Sequence, residues 1–304
     1  MMTQRYTKIS ALFEGIRSLQ MTLRKRAKAL LENLRFDKRS RIETWLAQLS
    51  SEDARARWEA AEALGYYHAQ LAIDALVKAL GDAHPFVRWQ AGESLAQHKD
   101  VRTLALLREA LSSKNINLRS GAAEVLGKLG DKEAASALCK ALHSRNAQVR
   151  CSAAEALGRL ADPTTLPALI QALSDSDPQV RRVTAHAIGS IGSSEAVPAL
   201  LTALEDKSAP VRASAAAALG KIAEPKAANA LQRLLHDPDP GVRWHAVHAL
   251  STIGNGETLP ALTPLLDDET EVFGLPIAEA VRRAIRNIEQ RQKDQARQEG
   301  LRVL

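Results

Sequence analysis

Aromatic residues make up only 4% of this 304-residue chain, and cysteine occurs just twice. So little aromatic content argues against a sandwich or barrel and favours close-packed aliphatic helices. Two cysteines cannot build a disulfide framework, so a reducing, cytoplasmic setting is expected. No apolar run approaches the roughly 18 residues that a membrane-spanning helix needs. An apolar leader core is also missing behind Met1, so a secretory signal is not expected. The patterns G-x-x-x-x-G-K-S/T, G-x-G-x-x-G and G-x-S-x-G do not occur, and nothing points to nucleotide or acyl chemistry. What the chain does hold is 45% hydrophobic residues, rich in Ala and Leu, enough to bury a core.

The formal net charge is +6, but it is segregated. Residues 1–41 carry a net +8, residues 282–304 a net +4, and the body between them a net −6. The basic character belongs to the two ends, so the isoelectric point does not make the body a polyanion binder.

The body is a repeat. The stretches RWEAAEALG, RWQAGESLA, RSGAAEVLG, RCSAAEALG, RRVTAHAIG, RASAAAALG and RWHAVHALS begin at Arg57, Arg88, Arg119, Arg150, Arg181, Arg212 and Arg243, always 31 residues apart. Upstream leucines keep register, from Leu76 and Leu80 through Leu231 and Leu235, with Trp45 and Leu49 in their place in the first repeat. An eighth unit starts at Leu262 and Leu266, then loses its Arg at Gly274 within the insert Phe273-Gly274-Leu275-Pro276. Each unit holds two apolar runs at helical spacing. In the fourth these predict helices over about residues 133–143 and 148–160. Asp or Ser in the break can cap the next helix, Pro fits its first turn, and Gly130, Gly192 and Gly254 suit C-caps or close contacts. Two short helices cannot bury their apolar faces alone, so neighbours must stack.

The run Asp175-Ser176-Asp177-Pro178-Gln179-Val180-Arg181 and the stretch Arg150 to Gly158 resemble the HEAT-like repeat named for phycobilisome lyases. The resemblance covers about residues 41–285. It implies an all-α, right-handed α-solenoid of about seven 31-residue repeats plus a degenerate eighth. The expected organisation is a basic amphipathic arm or cap over 1–40, a solenoid over 41–288 and a polar, fraying tail over 289–304. Such repeats serve lyases, hydroxylases, glycosylases and plain scaffolds alike, so the fold does not choose the function.

Counting each second helix from its Arg as position zero, positions −1, 3, 4, 7 and 10 form a buried stripe, as in Val149, Ala153, Ala154, Leu157 and Leu160. Positions 1, 5 and 9 lie opposite. The resemblance places that side in a concave groove. It carries Trp58, Glu62 and Tyr66, then Trp89 and Glu93, then Glu124, Glu155, His186, and finally Trp244 and His248. Exposed tryptophans anchor partners, and a row of carboxylates selects cationic ones. The same glutamates also suit helix propensity and i,i+4 pairing, as in Glu124–Lys128 and Glu155–Arg159.

Chemistry finds little support. His245 and His248 lie three apart, but His186 is two repeats away, on the order of 20 Å, too far to share a metal. Resembling deoxyhypusine hydroxylases use His-Glu pairs, and the matching places here read Trp58-Glu59 and Trp244-His245. No metal, cofactor or catalytic residue is expected. Cys151 sits near Glu155, which raises a thiol pKa instead of activating it. The arginine column is read as structural, pairing with Asp175, Asp177, Asp206, Asp237 or Asp239 of the turns, as the resemblance implies.

Residues 7–35 are amphipathic and basic, with Arg17, Arg24, Lys25 and Lys28. They form either a cap on the first repeat or a segment for an anionic surface. Three functions follow. The first is a non-catalytic scaffold that binds a protein, such as a cationic or helical segment, along the Trp/Glu groove. The second is a phycobilin lyase-like protein or bilin chaperone. The third binds nucleic acid or an anionic membrane through residues 1–41. The expected location is cytoplasmic or peripheral to a membrane.

Overall fold

The computed structural model describes residues 38–302. The basic residues Arg17, Arg24, Lys25 and Lys28 of the expected arm lie outside the described residues. Within them, all regular structure is helical except for one short hairpin. The helices are α1 (Lys38–Gln48), α2 (Ala54–Leu64), α3 (Gln70–Ala79), α4 (Pro85–Leu95), α5 (Val101–Ala110), α6 (Ile116–Leu129), α7 (Ala135–Ala141) and α8 (Ala147–Leu160). They continue as α9 (Leu166–Ala172), α10 (Pro178–Ile191), α11 (Val197–Ala203), α12 (Ala209–Ile222), α13 (Ala228–Arg233) and α14 (Pro240–Ile253). The last are α15 (Leu259–Leu262) and α16 (Ile277–Arg302). Contacts divide the chain after His98 into two units. In the first, α1, α2, α3 and α4 pack together. In the second, α6, α8, α10, α12, α14 and α16 pack in succession, each backed by its shorter partner. Each unit is therefore a stretch of helical-repeat solenoid.

The sequence specifies these helices locally. Asn115, Asn146, Asp177 and Asp239 cap α6, α8, α10 and α14 by accepting first-turn N–H groups. Pro178 and Pro240 open α10 and α14, where a missing N–H costs nothing. The expected stripe Val149, Ala153, Ala154, Leu157 and Leu160 is buried throughout.

Two glycine columns do different work. At position 8, Gly127, Gly158, Gly189 and Gly220 lie against Ala156, Ala187, Ala218 and Ala249 of the next second helix. A Cβ added at Gly158 falls 2.7 Å from the Ala187 Cα. Backbones this close leave room for hydrogen alone. Gly130 and Gly192 end their helices in the left-handed region, and Ala161 and Ala223 take the same conformation with φ of 49° and 58°. Gly254 does not: its φ is −67° and ψ 156°. Arg291 of α16 donates to the carbonyls of Ser251 and Gly254, closing α14 in place of a left-handed cap.

The turns are tied by arginine. Arg150 Nη1 donates to the Ser144 carbonyl of its own turn at 2.8 Å. Its Nε and Nη2 grip Asp175 of the next turn at 2.6 and 2.7 Å. The same fork joins Arg57 to Asp82, Arg181 to Asp206 and Arg212 to Asp237, and Arg243 Nε reaches Asp268. Arg181 holds the Asp206 carboxyl below the usual carboxylate range, with burial opposing. Asp177 and Asp239, also expected as arginine partners, are occupied as helix caps.

The eighth unit departs from the rest. Strands β1 (Glu271–Val272) and β2 (Leu275–Pro276) pair antiparallel across Phe273 and Gly274, whose φ angles are 54° and 80°. Two successive left-handed residues make a tight turn that suits a hairpin. Helix α16 then runs to Arg302, through the stretch expected to fray.

Candidate interaction surfaces

The residues expected to line a groove fall into two sets. In the first unit, α2 and α4 present Trp58, Glu62, Tyr66, Trp89 and Glu93. Trp89 is 44% and Tyr66 48% exposed, while Trp58, Glu62 and Glu93 are half-buried. In the second unit, Glu124, Glu155, His186 and His248 are exposed on α6, α8, α10 and α14. In the second unit exposure grows along each second helix. Position 1 sits nearest the packed turns, and there Ser120 is buried and Cys151, Arg182, Ala213 and Trp244 are half-buried.

Local pairing already uses part of this charge. Glu155 Oε1 accepts from Arg159 at 2.7 Å, one turn on. Lys221 Nζ lies 3.4 Å from His186 Nε2. Burial lowers the His186 pKa, and Lys221 and Arg182 lower it further. Trp244 is not an open indole: His248 stacks on it at 3.9 Å, and Phe273 from the hairpin meets it edge-on at 5.0 Å.

Both thiols are quiet. Burial pushes Cys151 up first, then Asp177 and Asp175, with Arg150 and Arg182 opposing. The carboxylates responsible are thus those of the adjacent turn, not Glu155. Cys139 is raised by burial and Asp162. Among the described residues no group of three or more His, Cys, Asp or Glu side chains could hold a metal ion. No described helix is long and apolar enough to cross a membrane.

Four exposed side chains in the first unit stand out when the repeats are aligned. Tyr66 occupies the place of Gln97, Lys128, Arg159, Ser190, Lys221 and Thr252. Leu71 (57% exposed) stands where Arg102, Glu133, Thr164, Glu195, Lys226 and Glu257 recur. Phe86 (62% exposed) replaces Asn117, Gln148 and Gln179, and Trp89 completes the set. The sequence reading missed Leu71 and Phe86 because it followed one helix face. The signal was an apolar residue at a place that is polar or small in sister repeats.

The HEAT-repeat family profile matches overlapping segments at residues 42–115, 93–149, 107–174, 136–219, 166–237 and 197–286. No curated protein matches the chain in sequence. The X-ray structure of Escherichia coli YibA is similar in fold, with 20% identity and a TM-score of 0.60 over 81% of this chain and 92% of that one. A chain of the Kap95p–RanGDP complex aligns with 15% identity and a TM-score of 0.60, over 81% of this chain and 41% of that one. The CpcE–CpcF complex of phycocyanin lyase from Nostoc sp. aligns at 27% identity over 82% and 94%, with a TM-score of 0.40, too low to argue from. With the profile spanning residues 42–286 and helix pairs stacked at a fixed period, the chain belongs to the HEAT-repeat family.

Proposed function

We propose that the protein is a non-catalytic scaffold that holds a protein partner on the outward side chains of its helical repeats. One observation carries this reading. Tyr66, Leu71 and Phe86 are exposed, large and apolar at places that sister repeats fill mostly with polar residues, and Trp89 is the exposed member of the column Trp58, Trp89 and Trp244. The repeat fold does not need them, and exposed aromatic side chains anchor interfaces. Glu62 on α2 and Glu93 on α4 lie in the same unit, so a helical segment with cationic and apolar residues fits best. Within the second unit, the exposed Glu124, Glu155, His186 and His248 supply further contacts.

The test compares what the full chain and its Trp89→Ala/Tyr66→Ala variant capture from an extract of the source cells. A partner held by the wild type and lost by a variant with unchanged circular dichroism supports the proposal. Once that partner is purified, Trp89→Ala alone is expected to weaken binding roughly thirtyfold, as interface anchors do. Identical capture by both proteins removes these side chains from the function.

A further inference from the structure

Two rungs of the arginine ladder have no carboxylate: the place 25 residues after Arg88 is Ser113 and that after Arg119 is Ser144, and of the two only Arg119 has both its own turn and the facing one inside the second unit. Arg119 is held like its sisters: Nη1 donates to the Ser113 carbonyl at 2.6 Å and to Lys114 at 3.3 Å. In Arg57, Arg150, Arg181 and Arg212 that grip aims the Nε–Nη2 edge at an Asp placed 25 residues later, at 2.6–3.0 Å. For Arg119 the residue at that place is Ser144. Its single hydroxyl accepts from the Asn146 N–H at 3.3 Å, the task Asp175 performs for Asp177 at 2.8 Å. Serine thus replaces half of the aspartate. Among the described residues nothing accepts from the Nε–Nη2 edge of Arg119.

The surrounding charge changes with it. Other turns read Asp175-Ser176-Asp177 and Asp237-Pro238-Asp239, whereas these read Ser113-Lys114-Asn115 and Ser144-Arg145-Asn146. Lys114 and Arg145 are exposed, and residues 113–120 and 144–149 contain no carboxylate. An acid-neutralised ridge becomes cationic at one place in the second unit. There a planar fork lies pre-oriented for a carboxylate.

We infer that this ridge is a second docking site, at which Arg119 takes a side-chain carboxylate from an acidic segment of a partner protein, with Lys114 and Arg145 flanking it. The site lies at the turns, apart from the stripe on the second helices, and stands or falls independently of the proposed scaffold surface. Its recognition is chemical: two parallel N–H groups match a carboxylate, and the flanking cations favour a run of Glu or Asp.

The test uses the full chain and a short fluorescein-labelled peptide of alternating Glu and Gly, followed by anisotropy at low salt. Ser144→Asp rebuilds the rung at Arg119, so it fills that fork from within while keeping the fold. Binding is expected to weaken roughly tenfold or more, and the melting temperature to rise. Ser144→Ala leaves the fork open and should bind as the wild type does. The Trp89→Ala/Tyr66→Ala variant should also bind normally. Equal binding by Ser144→Asp and wild type overturns the inference, as does equal weakening by Ser144→Ala. Tighter binding of a single-stranded oligonucleotide that is lost in Ser144→Asp would reassign the ridge to phosphate and overturn the acidic-segment reading.

Discussion

Between α2 and α4, the residue set against Gly65 is Ser94; between α8 and α10, the residue set against Gly158 is Ala187. Both contacts bring two second helices close enough that a Cβ on the glycine would collide. The chemistry around them differs. On α8 the places of Ser94 and His98 hold Ala156 and Leu160, buried and apolar. In the first unit α4 and the turn after it bury Gln90, Ser94 and His98 instead. Ser94 Oγ donates to the Ala61 carbonyl at 2.9 Å. His98 Nε2 lies 2.9 Å from the Gly65 carbonyl and can only donate to it. With His98 neutral, its Nδ1 accepts, so His68 Nδ1 at 3.0 Å must donate. One packing geometry is thus held by shape in one unit and by shape plus a polar network in the other. A contact held by shape tolerates no added volume. A contact held partly by hydrogen bonds is more sensitive to losing a polar atom.

The strongest way to break this contrast is Gly158→Val. The new Cβ meets the Cα and Cβ of Ala187 at 2.7 and 2.8 Å, and a backbone atom cannot rotate away. The two helices must part, at a cost of about 3 kcal/mol. A fall in melting temperature of roughly 8 °C is expected, read by circular dichroism. A variant melting with the wild type would show that helix spacing in the second unit is soft, and the shape argument would fail.

Much of this was legible in the sequence. The 31-residue period located every second helix, because Arg at position zero and apolar residues at −1, 3, 4, 7 and 10 can share one face only in a helix. The position-8 glycines stood in the quoted repeats, but one-dimensional periodicity shows only that a residue is inward, not how near its neighbour comes. Gly254 illustrates the converse: it occupies a capping place, yet Arg291 from a distant helix closes α14. Burial at position 1 in the second unit was likewise invisible, since a helical wheel treats the first and last turns alike while the packed turns cover only the first. Trp244 is covered by Phe273, a residue that lies outside the repeat and so outside the pattern.

A gentler probe is Ser94→Ala, which gives α4 the residue its sisters carry. The Ala61 carbonyl keeps the Gly65 N–H, so it is not stranded. The lost bond costs about 1 kcal/mol or less. Urea unfolding should show a midpoint slightly below wild type. No change would reduce the network in the first unit to decoration. A loss several times larger would mean that Gln90 and His98 depend on Ser94 for their placement.

The smallest expected effect concerns position 2, where the two units come closest to each other in chemistry: Gln90 stands there on α4 and His245 on α14. His245 is half-buried, and burial lowers its pKa from the ordinary 6.5, with His248 lowering it further. His248 is lowered by burial and by Arg283 of α16. The unfolded chain therefore takes up protons at these sites more readily than the folded one, so stability rises with pH across this range. Acidification from above the ordinary histidine value should lower the urea midpoint, beginning near pH 6.5 and continuing until the folded form is protonated as well. His245→Gln gives α14 the uncharged amide that α4 already uses, and should flatten this pH dependence without abolishing it, because His186 and His248 remain. An unchanged slope would mean that His245 can be protonated where it lies. Position 2 would then be open to water in the second unit, and its kinship with the buried Gln90 would be one of register and not of environment.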